Sequence, residues 1–402
     1  MPLNLTFLSE KSKNFGKFLF IILSAVILFT LLLMSRDAGM SGDEHFHTGH
    51  AQDVINFYKT LGKDTTAVHE NPNNGQVNLH QFGQLPDNIA FLIYNSLGCE
   101  DIMQVRHYVS TTFGWLAMLF ASLMVFRITQ RWSAALLTLC LFFLSPHFIG
   151  HSFNNLKDPP FAAMLMMGIY YLFYFFNTFP KPPKKVIAML IISFGAALAI
   201  RAPGLVLIAY FGVFGFVYLL LKWVEIRKTE SIKKPFFPKE WVKLLLRLFV
   251  YGITISVVGF FVGILLWPFA LVNPVHVFDT FKDMSQWGYL LRHVYEGALI
   301  WSDSNPWYYL TKYIVYTVPV ATLIGVVIYP FLGGLRKENI LSTFIIYFTA
   351  FFPVFWIGYT EANVYGGWRH ATFMYPSMVV AAGLGFDAVI ERITRKVLKN
   401  AN

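Results

Sequence analysis

The sequence predicts an all-α polytopic membrane protein with about ten transmembrane helices, and three observations carry that expectation. Of 402 residues, 56% are apolar and only 13% charged, against about 25% charged in an ordinary soluble domain. The apolar residues gather in runs of roughly 17–25, the helical length that crosses a hydrocarbon core about 30 Å thick. The 32 Lys and Arg residues are rich in alternate loops and sparse in the others, as the positive-inside bias requires.

Runs bounded by charged or Pro-rich ends lie at 16–34, 108–126, 133–150, 159–179, 186–200, 203–221, 244–269, 308–332, 339–358 and 371–390. An N-terminus in the cytoplasm puts the tail and segments 127–132, 180–185, 222–243, 333–338 and 391–402 on that side. With Arg247 and Asp387 at span ends, these hold 22 of the 32 basic residues and 7 of the 22 acids, a net of about +15 against about −5 outside. The basic excess is therefore topology, and nucleic acid drops out as a partner. The first run follows Lys11, Lys13 and Lys17, is long for a signal h-region and shows no small-x-small cleavage site before Arg36, so it reads as an uncleaved span. Cys140 lies inside an apolar run, which leaves Cys99 with no disulfide framework. One transmembrane domain over 1–402 is expected, with external loops at 35–107 and 270–307 and no separate soluble domain.

All eleven histidines fall in external segments or at outer span ends. The span middles carry almost no ionisable residue, which disfavours a proton-coupled carrier. The expected location is a multi-pass plasma membrane, the inner membrane in a bacterium, with a site on the external (periplasmic) face.

The first external loop opens Ser41-Gly42-Asp43-Glu44-His45-Phe46-His47-Thr48-Gly49-His50 and continues with apolar positions 51, 54, 55, 58 and 61. The spacing predicts an amphipathic helix lying flat on the outer interface and ending near Gly62. Glu44 three residues after Ser41 reads equally well as a capping box. Asp43, His47 and His50 share one helix face, suited to a general base with a proton path or to a divalent metal. A second external turn runs from Pro146-His147 through His151, Asn154 and Asn155 to Lys157-Asp158-Pro159-Pro160-Phe161. Asp158 before Pro159 is a good helix cap, a role for which Lys157 and the asparagines are not needed. Arg201 at a tight turn with Pro203 and Gly204 reads either as a snorkelling span-end cation or as an anion-binding group. In the 270–307 loop and just beyond it, Trp287, Tyr289, Trp301, Trp307, Tyr308 and Tyr309 suit sugar stacking or, equally, an aromatic belt.

An Asp-Glu pair on a juxtamembrane helix after the first span, a His/Asn-rich turn ending Lys157-Asp158-Pro159-Pro160-Phe161, and then Arg201-Ala202-Pro203-Gly204 resemble the GT-C glycosyltransferases. The branch most alike is the protein O-mannosyltransferase and ArnT-like group. The likeness covers roughly the first 210 residues, and Tyr365-Gly366-Gly367-Trp368-Arg369-His370 is similar to motifs in bacterial members. The chain departs from larger members in ending directly after its last span.

The resemblance implies inverting transfer of a sugar from a polyprenyl-phosphate carrier to an acceptor hydroxyl of a protein, lipid or glycan. It gives Asp43 as the base, with Glu44 and Asp158 as further catalytic carboxylates. Lys157, Arg201, Arg369, His370 and Arg292 are the groups that would meet the departing lipid phosphate. His47, His50, His147 and His151 are candidate ligands for Zn²⁺ or Mn²⁺ beside these carboxylates. A single reacting centre needs Asp43, Asp158 and Arg201 around one cavity. The competing readings are a flippase or exporter of a lipid-linked glycan, which needs charge along a path through the bundle, and a non-catalytic envelope subunit.

Overall fold

The computed structural model describes residues 5–42, 44–70, 79–229, 236–285 and 290–401. Its helices, in chain order, are α1 (Leu5–Met34), α2 (Glu44–Lys59), α3 (Leu85–Leu97), α4 (Ile102–Thr129), α5 (Trp132–Phe143), α6 (Pro146–Asn154), α7 (Asp158–Thr178) and α8 (Lys184–Ile200). They continue with α9 (Val206–Thr229), α10 (Lys239–Ile264), α11 (Pro268–Val272) and α12 (His276–Ser285). A two-stranded hairpin of β1 (Arg292–Tyr295) and β2 (Ala298–Trp301) precedes α13 (Tyr309–Thr317), α14 (Val320–Tyr329), α15 (Ile340–Tyr359) and α16 (Tyr375–Ala401).

Among the described residues, seven helical segments are long and apolar enough to cross a membrane, and two bent pairs bring the number to nine. The remaining expected run, 186–200, coincides with α8, whose 17 residues are at the lower limit for crossing. The bent pairs depart from expectation, because 133–150 and 308–332 each read as one span. Instead α5 and α6 meet at 71°, and α13 meets the segment Val320–Gly334 at 111°. Proline explains both breaks. Ser145 before Pro146 and Val318 before Pro319 have left helical angles, at ψ 86° and 134°, because the ring that follows crowds the α region of its predecessor.

The chain divides into two compact units. The first is Met1–Gly42, Ile93–Met166 and Met284–Asn402. Here α4 packs on α5 and α6, α1 on α4 and α5, and α16 on α14, α15, α4 and α5. Small residues let α14 and α16 touch backbone to backbone: a Cβ on Gly325 would lie 2.7 Å from Ala382 Cα, and one on Gly385 would lie 2.2 Å from Gly325 O. Such close approach replaces the hydrophobic drive that lipid removes.

The second unit is Asp43–Leu92 and Met167–Asp283, with α8 and α9 packed on α10. The predicted amphipathic helix is present as α2, and Gly62 at φ +80° closes it by donating its N–H to Phe57 O at 2.8 Å. Part of its apolar face is taken up by protein: Val54 and Phe57 are covered by Ala67, Val68, Phe269 and Leu271 of the same unit, whereas Tyr58 and Leu61 are exposed.

Candidate functional site

In the first unit the site is built around Asp158, the first residue of α7. The preceding turn is closed by Asn155, whose Oδ1 accepts the backbone N–H of Lys157 and of Asp158, both at 3.1 Å. The capping work expected of Asp158 is thus done by Asn155, which corrects the reading that the asparagines were not needed for it. Asp158 is released for other partners: its Oδ2 accepts from Asn155 Nδ2 at 2.7 Å and from Arg369 Nε at 3.0 Å. The carboxylate is 3% exposed and the Arg369 side chain 30%, a half-sheltered, charge-assisted pair. The turn is in turn tied to α4, where Ser110 Oγ donates to Asn155 O at 3.0 Å.

Arg369 is held from its own side by the Gly366–Trp368 turn. Gly366 and Gly367 both take φ +67°, a conformation that costs other residues a clash at Cβ. That turn drops Trp368 into the core, where it is buried, stacks on His147 with ring centroids 4.0 Å apart and donates Nε1–H to Thr317 Oγ1 at 2.7 Å. His147 also meets His151 edge-on at 4.7 Å. His370 stands edge-on to Tyr365 at 4.7 Å, and Lys157 is half-buried beside Asp158. Arg292 is on β1, with its guanidinium 4.5 Å from the centre of the Trp301 ring.

In the second unit the buried stripe of α2 changes character along its length. Glu44, His47 and His50 fill its N-terminal part, and Ala51, Val54, Ile55 and Phe57 the rest. A facing loop, the 3₁₀ turn Leu79–Gln81 with Phe82 to Gln84, supplies His80 near His50 and Phe82 edge-on to His47 at 6.4 Å. Burial, and secondly His80, push the His50 imidazole down to about 4. Burial is also the main cause holding His80 below its usual value. Both rings are held in the neutral form at pH 7, because burial penalises the imidazolium. The same loop presses on the end of α8, where a Cβ on Gly83 would come within 2.0 Å of Ala199 O. Two residues on, Arg201 caps α8 in extended conformation, and its carbonyl accepts the Gly204 N–H at 2.9 Å. The tight turn expected there is present, and a Cβ on Gly204 would collide with Leu198 N at 2.5 Å.

Asp43 lies outside the described residues, as do Trp287 and Tyr289. His47, His50 and His80 are gathered in the second unit, and Asp158, Arg369, His147 and His151 in the first. Among the described residues no three His, Cys, Asp or Glu side chains come together as a metal site needs. Among the buried groups given no role from sequence are Arg106 on α4, one turn before Ser110, and Asp87 in the first turn of α3. For Arg106 the signal was available, as a cation inside the start of an apolar helix rarely lacks a purpose.

The family model described as "Dolichyl-phosphate-mannose-protein mannosyltransferase" matches residues 96–261. Among solved structures, ArnT from Cupriavidus metallidurans bound to undecaprenyl phosphate aligns with TM-score 0.60 and 15% identity, over 92% of this chain and 59% of that one. The archaeal oligosaccharyltransferase AglB from Archaeoglobus fulgidus, in complex with an inhibitory peptide and a dolichol-phosphate, aligns with TM-score 0.57 and 11% identity, over 94% and 52%. The chain therefore spans between half and six-tenths of the length of these proteins. No curated protein sequence matches it.

Proposed function

We propose, on the premise that this chain has the GT-C fold and is ArnT- and PMT-like, that it is a multi-pass membrane glycosyltransferase. It takes a sugar from a polyprenyl-phosphate donor and passes it to an acceptor hydroxyl at the external face, with inversion. The observation that carries this reading is the Asp158–Asn155–Arg369 cluster at the mouth of a membrane span. It keeps a guanidinium at a defined place where a lipid phosphate can arrive. ArnT and AglB were solved with polyprenyl phosphates, which supports the same donor class here.

In the proposed step the acceptor oxygen attacks C1 of the sugar, and the C1–O bond to the phosphate breaks with its electron pair passing to the phosphate oxygen. Asp43 takes the hydroxyl proton, and Glu44 beside it is the next carboxylate in line. The leaving group is an anion of low basicity and needs positive charge more than an acid. Arg369, with Lys157, Arg201, His370 and Arg292 as further candidates, supplies it. Asp158 holds the Arg369 fork in orientation. The test is turnover by purified protein in nanodiscs with mannosyl and aminoarabinosyl polyprenyl phosphates, followed as released prenyl phosphate before and after EDTA. Release that depends on acceptor supports the reading. No release from either donor, by folded protein at any acceptor concentration, overturns it.

A further inference from the structure

The β1–β2 hairpin has two unlike faces. Cross-strand pairing joins Arg292 to Trp301 and Val294 to Leu299 on one face, and His293 to Ile300 and Tyr295 to Ala298 on the other. The two-residue connection Glu296-Gly297, with φ +52° and +80°, is the primed turn that suits a twisted ribbon.

The second face is fixed to the protein. Tyr295 is buried against Tyr309 and Tyr313, and His293 Nε2 bonds Asn305 Oδ1 at 3.0 Å. Glu296 pairs with Lys312 of α13, and Asn305 Nδ2 donates to Val364 O at 2.6 Å. A two-stranded ribbon is marginal alone, so these ties set its position against the start of α13.

Among the described residues nothing covers the first face. Val294 is 66% exposed and Leu299 63%, and Arg292 and Trp301 are exposed beside them as a cation–π pair. Four such residues with no acid among them do not suit water. We propose that this face of the hairpin is a membrane-docking surface, seated in the headgroup layer with Val294, Leu299 and Trp301 toward the acyl chains and Arg292 at lipid phosphate. Three observations favour lipid over a protein partner. The segment that follows carries further exposed apolar side chains, Trp307 at 75% and Val315 and Tyr316 on α13. Its aromatic and its cation form the amphipathic pair that interfacial regions select. Its one charge is complementary to a phosphate.

The test uses full-length protein with Cys99→Ser and Cys140→Ala, carrying an NBD-labelled Leu299→Cys, Val294→Cys or, as an aqueous control, Ser304→Cys. The protein is placed in phosphatidylcholine–phosphatidylglycerol vesicles. Stronger quenching by 5-doxyl lipid at 294 and 299 than at 304, with iodide showing the reverse order, supports docking. A further supporting result is that replacing phosphatidylglycerol by phosphatidylcholine shifts the emission at 299, and that Arg292→Gln abolishes the shift. Iodide quenching at 294 and 299 equal to that at 304 overturns the proposal in favour of a water-facing loop. Disulfide cross-linking of unlabelled Leu299→Cys between two chains overturns it in favour of a second copy. Each labelled site is an independent readout, so loss of one variant to misfolding leaves the others decisive.

Discussion

Arg369 Nε donates to Asp158 Oδ2 across 211 residues of sequence at 3.0 Å. The bond joins the head of α7 to the 3₁₀ turn Arg369–Met374 before α16, so the orientation of one helix mouth depends on the other. Arg369→Lys keeps the charge but loses the planar Nε–H and the fork. Asp158→Asn keeps the shape but puts a neutral amide against a guanidinium. We expect each to lower kcat/KM at least tenfold, and the double variant to lose less than the two losses multiplied, as coupled groups do. Losses that multiply would show the pair to be uncoupled.

Asp43→Asn removes basicity at constant size. A loss of about 10²–10⁴ in kcat is expected for a missing general base, with thermal stability unchanged. Normal turnover by the folded variant would pass the role to Glu44.

Trp368 fixes Arg369 from below through its stack on His147 and its bond to Thr317. Trp368→Ala leaves a large buried hole and costs about 3–5 kcal/mol in stability. Trp368→Phe keeps most of the stack and loses the Nε1–H bond. The melting temperature in detergent should fall in the order wild type, Phe, Ala, with transferase activity following it. Activity in the Ala variant equal to wild type would deny Trp368 its positioning role.

Stability should depend on His50. Its imidazole is held down to about 4 in the folded protein, whereas an unfolded chain protonates it near 6.5. Between those values the unfolded state carries the extra proton, so stability rises with pH through the window and is flat above it. Acidification from pH 7 to 4 costs about 3 kcal/mol by this route, and His80, also lowered, acts in the same direction. His50→Gln should flatten that part of the melting curve against pH, and an unchanged slope would remove His50 as its source.

The spans were legible because apolar runs of membrane length have few other uses, and α2 because positions 51, 54, 55 and 58 repeat at helical spacing and stop at Gly62. What covers a helix face is not written in its period, and Val54 turned out to meet Val68 and Phe269. Lys157-Asp158-Pro159 read as a cap followed by a helix, yet Asn155 does the capping, since an Asx turn competes on equal terms and only three-dimensional demand for Asp158 decides between them. The Glu296-Gly297 turn was visible in principle, but strands of four residues leave too short an alternation to stand out from an aromatic-rich loop. Gly83 against Ala199 O is a contact between distant segments, and glycine in a loop gives no hint of which backbone it admits.

The break between α5 and α6 has a consequence for the lipid itself. Twelve residues of α5 rise about 18 Å, and α6, turned by 71°, adds only about 4 Å along the same line. That reach is about 8 Å short of a hydrocarbon core of about 30 Å. A bilayer meets such a deficit by dimpling beside the short element. A bilayer that met α5 and α6 as one span would have to thin beside them by that amount.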